Sequence, residues 1–183
     1  GFQSFPDTST VNKFTAQKDR YLFSDVLKTH QKHPTGYENL SKYMMMYDIS
    51  TDDYRQYIRN TQELQELCLI TAIEAQRKAK PYCMGTLFWQ FNDCNPVVSW
   101  SVIDYFGTAK PSFNTVKELY AETILISKEE NEKLNLYIVS DKQSEQKASL
   151  LILNSAEDIL DSVEVTIPAN SSTKYYEYDI ANS

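Results

Sequence analysis

The feature that most constrains this chain is the largely apolar run of residues 83–93, which ends in Trp-Gln-Phe-Asn-Asp. Within it, residues 84–91 are largely apolar on both alternating sides, as expected for a strand buried inside a parallel sheet. A helical pattern precedes the run and another follows it, which is the order of a (β/α) barrel. We therefore predict a barrel strand over residues 84–91, with polar and aromatic side chains at its C-terminal tip.

The two flanking helices are predicted from their apolar spacing. A Ser-x-x-Asp capping pattern at residues 50–53 opens the first helix, and Pro81 ends it. Its buried face is predicted to carry Tyr57, Leu64, Cys68, Ala72 and Ala75. Pro111 suits the first turn of the second helix, whose apolar positions are Phe113, Val116, Tyr120 and Ile124.

Beyond residue 128 the apolar period changes from helical to two. Leu134, Leu136 and Ile138 alternate with other side chains, and residues 163–167 repeat the pattern. We predict about four antiparallel strands, which would form an incomplete immunoglobulin-like β-sandwich, since such a sandwich usually has seven strands. The predicted fold is thus an α/β barrel fragment over residues 1–127, followed by a partial β-sandwich over residues 128–183.

The tip of the predicted strand has the residue types of a carbohydrate site. Trp89 offers a flat apolar face on which a sugar ring can stack, and Asn92 and Asp93 offer hydrogen bonds to sugar hydroxyls. The alternatives are a Trp89 packed into the core and a turn made by Asn92 and Asp93, because Asx side chains often bond to their own backbone. Gln90 points away from Trp89 by strand alternation, so we expect it to support the site from behind.

Four separated motifs occur in an order that resembles β-mannosidases of glycoside hydrolase family two. They are Gly-Phe-Gln-Ser-Phe-Pro at 1–6, His-Gln-Lys-His-Pro at 30–34, Trp-Gln-Phe-Asn-Asp at 89–93 and Ser-Trp-Ser-Val-Ile-Asp-Tyr-Phe-Gly at 99–107. The resemblance implies the C-terminal part of a retaining exo-glycosidase that removes terminal β-linked mannose. It also implies that the nucleophilic glutamate comes directly before Gly1 and that the acid/base glutamate lies further upstream.

The resemblance gives further residues a role and leaves alternatives open. It implies that Phe2 and Gln3 help to orient the nucleophile and that Trp89 lies under the terminal sugar. For His33 the sequence favours a loop-packing role, and a place at the border of the sugar cleft is the alternative. No catalytic residue is then expected in this chain, and the isolated chain is expected to be inactive. Asn95 and Ala109 each stand where a Trp is usual in the family. Another family-two activity, β-galactosidase or exo-glucosaminidase, therefore stays open, as does a non-catalytic carbohydrate-binding module.

Composition excludes several other classes of function. The formal net charge of −7 and the scattered Lys and Arg residues argue against nucleic acid as a partner. No apolar run is long enough for a bilayer, so we expect a soluble protein, with no indication of its compartment. Three cysteines and two histidines lack metal-ligand spacing, and we expect neither a metal nor a cofactor. The expected partners are a terminal β-mannoside or related glycan and the remainder of the barrel, with self-association as a further possibility for the isolated chain.

Overall fold

The computed structural model describes residues 2–179, in which helices come first and antiparallel strands follow. The helices are α1 (Thr8–Phe14), α2 (Asp25–Thr29), α3 (Gly36–Met46), α4 (Tyr54–Lys78) and α5 (Pro111–Leu119), with a 3₁₀ turn at Gln17–Asp19. The strands are β1 (Thr123–Glu130), β2 (Lys133–Ser140), β3 (Gln146–Leu153), β4 (Ile159–Ile167) and β5 (Ser171–Asp179).

The described chain divides into two compact units. The first unit contains the residues up to 72 together with residues 87–118, and the second contains residues 73–86 together with those from 119 onward. The core of the first unit joins the N-terminal segment to α1–α4. Its buried members are Phe5, Val11, Leu27, Tyr37, Leu40, Met44, Tyr57, Ile58, Leu64, Cys68 and Val98.

Helix α4 confirms the first predicted helix. Asp53 provides its N-terminal cap, because its Oδ1 accepts a hydrogen bond from the Gln56 amide at 2.6 Å. Tyr57, Leu64 and Cys68 are buried as predicted, whereas Ala75 is exposed. The apolar period therefore located the helix and most of its buried face.

The predicted strand over residues 84–91 is wrong in this chain. No residue of that segment belongs to an assigned strand, and Leu87, Trp89 and Phe91 are 99%, 64% and 56% exposed. The predicted alternation is present, since Thr86, Phe88 and Gln90 on the other side are only partly exposed. The physical reason is pairing: a buried parallel strand needs a neighbour on each side, and within residues 2–179 no strand lies beside this segment.

The second predicted helix is confirmed, but it is shorter than expected. Helix α5 ends at Leu119, and Ile124 lies in β1, which begins at Thr123. The apolar spacing of Phe113, Val116, Tyr120 and Ile124 continued across this boundary, so periodicity alone did not separate the helix from the strand.

Two antiparallel sheets share one core in the second unit. One sheet has the order β1-β2-β5 and the other pairs β3 with β4. The core between them contains Leu136 and Ile138 from β2, Leu150 from β3, and Val165 and Ile167 from β4. The predicted strands at 134–138 and 163–167 are thus confirmed, while the described residues hold five strands where about four were expected.

Candidate functional site

The tip segment, residues 89–93, is held by backbone hydrogen bonds to the segment 100–103. The Gln90 amide donates to the Trp100 carbonyl at 3.3 Å, and the Phe91 carbonyl accepts from the amides of Val102 and Ile103 at 3.2 and 3.0 Å. The Trp89 side chain is 64% exposed, so its indole face is open to a ligand. The tip therefore presents Trp89 outward from a backbone that is fixed from behind.

Asp93 and Gln90 form a hydrogen-bonded network under the tip. The Asp93 carboxylate is 5% exposed; its Oδ2 accepts from the hydroxyls of Ser99 and Ser101 at 2.9 and 2.6 Å. Its Oδ1 accepts from Gln90 Nε2 at 3.1 Å, and the same amide group donates to the Asn92 carbonyl at 2.8 Å. Asn92 is exposed. The structure thus brings Gln90, Asn92 and Asp93 together, with Asp93 facing inward.

Three other predicted residues line one cavity of about 240 Å³ in the first unit. We call it the α3 cavity; its lining residues are Phe2, Gln3, His33, Asn39, Leu40, Tyr43, Leu64 and Trp100. Gln3 is 8% exposed, and its Nε2 has no hydrogen-bond partner among the described residues. Phe2 meets Tyr43 edge-on, and His33 meets Trp100 edge-on, each with ring centroids 6.0 Å apart. Aromatic walls with an available amide suit a polar ligand that has apolar faces.

The predicted residues therefore fall into two neighbouring groups. Trp89 does not line the α3 cavity, but the tip segment and the cavity meet at Trp100, whose carbonyl accepts from Gln90 and whose ring lines the cavity. Asn39 and Tyr43 of α3 were not predicted as site residues. Their helix lies in a loop-rich stretch with little periodic signal, so only the folded arrangement shows where they are.

Lys110 is a buried cation that sequence reasoning also missed. Its side chain is 2% exposed, and its Nζ donates to the Ser4 carbonyl at 3.1 Å and to the Ser99 carbonyl at 3.5 Å. Burial lowers the pKa of Lys110 to about 8, and the negative charges of Asp93, Asp104 and Asp7 oppose that shift. This ammonium therefore links the N-terminal segment at Ser4 to Ser99, which directly precedes the segment 100–103.

Asp104 is a second buried carboxylate near Lys110, and its neighbours satisfy it. Its Oδ2 accepts from the Thr10 hydroxyl at 2.6 Å, and its Oδ1 accepts from the amides of Phe106 and Thr108 at 2.9 Å each. These bonds fix the turn after residue 103 against α1. Asp104 is thus a structural anchor of the loop that follows Trp100.

Within the described residues, no group of three His, Cys, Asp or Glu side chains is placed to hold a metal ion. None of the helices in residues 2–179 combines the length and the apolar character that crossing a bilayer requires.

Comparison with known sequences relates the chain to β-mannosidases. The β-mannosidase B of Aspergillus terreus is 33% identical over 120 residues, which cover 63% of this chain and 14% of that protein. The β-mannosidase B of Neosartorya fischeri is 26% identical over 197 residues, covering 94% of this chain and 23% of that protein. No family model matches the chain.

Comparison with solved structures gives the same relation. The β-D-mannosidase of Dictyoglomus thermophilum aligns with a TM-score of 0.84 and 34% sequence identity, over 98% of this chain and 23% of that one. The resemblance that the four motifs indicated is thus confirmed in sequence and in structure. The chain spans between 14% and 23% of the length of these relatives.

Proposed function

We propose, from the relation of this chain to the β-mannosidases, that the whole protein is a retaining exo-β-mannosidase and that this chain is its C-terminal part. The observation that carries the proposal is the structural match over 98% of the chain at 34% identity. Such a match includes both the tip segment and the α3 cavity, so it supports a shared site as well as a shared fold.

The finer architecture is part of the same proposal. Residues 1–127 would complete a (β/α)₈ barrel, and residues 128–183 would belong to an immunoglobulin-like sandwich, with β1 spanning the border between them. The exposure of Leu87 and Phe91 supports the barrel, because other parts of the whole protein would cover these two side chains.

The chemistry would be performed by two glutamates outside this chain. A carboxylate directly before Gly1 would attack the anomeric carbon, and an upstream carboxylic acid would protonate the departing oxygen, with the two groups about 5–5.5 Å apart. Water would then release the sugar with retention of configuration. The isolated chain should therefore be inactive, since it contributes binding surface and not the reacting carboxyls.

Residues of this chain would bind the terminal sugar and hold the reacting groups in place. The exposed indole of Trp89 would stack on the apolar face of the pyranose, and the exposed amide of Asn92 would bond to a hydroxyl. Asp93 is 5% exposed, so it would act from beneath the sugar, where its carboxylate holds Gln90, Ser99 and Ser101 in place. Phe2, Gln3 and His33 would support the site from the wall of the α3 cavity.

The direct test is turnover of aryl glycosides by the purified whole protein. We expect hydrolysis of an aryl β-mannoside, with the β-anomer of mannose as the first product seen by NMR. A preference for the β-galactoside or the β-glucosaminide would assign another family-two activity. Binding of mannosides without any turnover would instead favour a carbohydrate-binding protein.

A further inference from the structure

We propose that Gln65 is a positioning residue that fixes the backbone of the α3 cavity and, through Phe2, the direction of the nucleophile. This inference rests on the function proposed above. Gln65 lies on α4, is 0% exposed and is not among the residues that line the cavity. Its influence on a ligand must therefore pass through the groups to which it is hydrogen-bonded.

The amide nitrogen of Gln65 joins two separate segments of the first unit. Nε2 donates to the Phe2 carbonyl at 2.8 Å, to the Trp100 carbonyl at 3.1 Å and to the Ser101 carbonyl at 3.2 Å. Phe2 and Trp100 both contribute rings to the α3 cavity. One side-chain amide thus sets the spacing between the N-terminal segment and the segment 100–103.

The oxygen of the same side chain is held equally firmly. Oε1 accepts from the Ser4 hydroxyl at 2.8 Å and from the Ser112 hydroxyl at 2.9 Å. A primary amide has two donor hydrogens and two acceptor lone pairs, so the three carbonyls share two hydrogens and the two hydroxyls use both lone pairs. Rotation of Gln65 would break these bonds together and would leave buried polar groups without partners.

The consequence for catalysis follows from the position of Phe2. If the nucleophile directly precedes Gly1, the Phe2 carbonyl lies two residues along the backbone from the reacting carboxylate. In the covalent step, a carboxylate oxygen bonds to the anomeric carbon while the bond to the leaving group breaks and its electron pair departs. An error of about 1 Å in the placement of such a group can lower the rate about a hundredfold.

The experiment compares Gln65→Met with Gln62→Met in the whole protein. Gln62 is a matched control: it lies on the same helix, is 5% exposed, and its Nε2 donates to the Phe5 carbonyl at 3.2 Å and to Asp7 Oδ1 at 2.9 Å. Both variants should lower Tm, because each removes buried hydrogen bonds. Only Gln65→Met should lower kcat on an aryl β-mannoside, by about ten- to a hundredfold with KM within about threefold, at a temperature well below both Tm values.

A trapping reaction gives a second readout that lost stability would not change. An activated 2-deoxy-2-fluoro-β-mannosyl fluoride loses fluoride and leaves the sugar on the nucleophile, so the trapping rate reports the attack itself. We expect Gln65→Met to slow trapping and Gln62→Met to leave it at the wild-type rate. If Gln65→Met does not fold, Ser112→Ala, which removes one donor to Gln65, should lower kcat about threefold in the same direction.

Failure of the proposed role of Gln65 and failure of the proposed function give different results. If Gln65→Met folds and keeps the wild-type kcat and trapping rate, the role of Gln65 is overturned. If Gln65→Met does not fold, a wild-type kcat in Ser112→Ala overturns it. If the wild-type protein neither hydrolyses the aryl β-mannoside nor reacts with the fluoride, the proposed function itself has failed.

Discussion

Lys110 shows at the scale of one residue how burial makes stability depend on pH. Its ammonium is enclosed with the Ser4 and Ser99 carbonyls, and its pKa falls from 10.5 to about 8, mainly because burial disfavours the charge. Below pH 8 the folded and unfolded states both hold the proton, so the cost of burying the charge is fully present. Between pH 8 and 10.5 the folded protein loses the proton first, and this cost disappears.

We therefore predict that Lys110 contributes a gain in stability as pH rises from 8 to 10.5. A difference of roughly 2.5 pKa units corresponds to about 3 kcal/mol in the free energy of unfolding. Urea unfolding of the wild type and of Lys110→Met across this range isolates the effect, because all other groups titrate in both proteins. Parallel stability curves for the two proteins would show that Lys110 is not the cause.

Trp89 is the residue on which the proposed sugar binding depends most. We expect Trp89→Ala to lower kcat/KM of the whole protein about ten- to a thousandfold, or about 1.4–4 kcal/mol, because the sugar loses its stacking surface. Trp89→Phe should recover part of the loss, since a smaller ring still has a face. Unchanged kinetics together with a lower Tm would make Trp89 a packing residue.

At the scale of elements, Asp141 ties the end of β2 to the last turn of α4 within the second unit. Its carboxylate pairs with Arg77 at 2.7 Å and also with Lys80. Both cations have little exposure, 6% and 4% of their side chains, and Arg77 also donates to the carbonyls of Leu119 and Ala121. The anchor thus joins the helix to the chain on both sides of the β1–β2 hairpin.

Asp141→Ala should lower the free energy of unfolding by about 1–3 kcal/mol, because it leaves two buried cations without their carboxylate. The estimate is below that for a fully buried pair, since solvent screens the half-exposed carboxylate. Glu177→Ala is the control: it also removes a carboxylate that pairs with two lysines, Lys133 and Lys174, but all three side chains are exposed. Urea unfolding should detect the first change and not the second; equal losses would contradict the argument.

Local patterns predicted these elements to different degrees. The period of α4 and the alternation in β2 and β4 are properties of consecutive residues, so the sequence indicated them directly. Whether residues 84–91 form a strand depends on pairing with strands that are distant in the sequence. The pattern of residues 84–91 holds no information about those partners. Gln65 and Lys110 were missed for the same reason, since a polar residue in a helix or a loop looks like a surface residue in the sequence until its partners are known.

At the scale of the whole molecule, the described chain leaves apolar side chains in residues 87–91 without cover. Leu87 is 99% exposed and Phe91 is 56% exposed. Large exposed apolar side chains in one segment indicate a surface that another part of a protein covers. The relatives are at least four times as long as this chain. The remainder of the proposed barrel would therefore be long enough to cover these side chains.

We therefore predict that the isolated 183-residue chain associates with itself or with the remainder of its barrel. Light scattering should show species larger than a monomer, and a dye that binds apolar surface should fluoresce. Leu87→Ser should reduce both signals, because it replaces the most exposed apolar side chain of residues 87–91. Leu125→Ser is the matched control: Leu125 is 53% exposed but lies in β1 between Thr123 and Ser127 on the same face, so its loss should change neither signal. A stable monomer that binds no dye would mean that residues 87–91 are not an interface. Their exposure would then no longer support the proposed barrel.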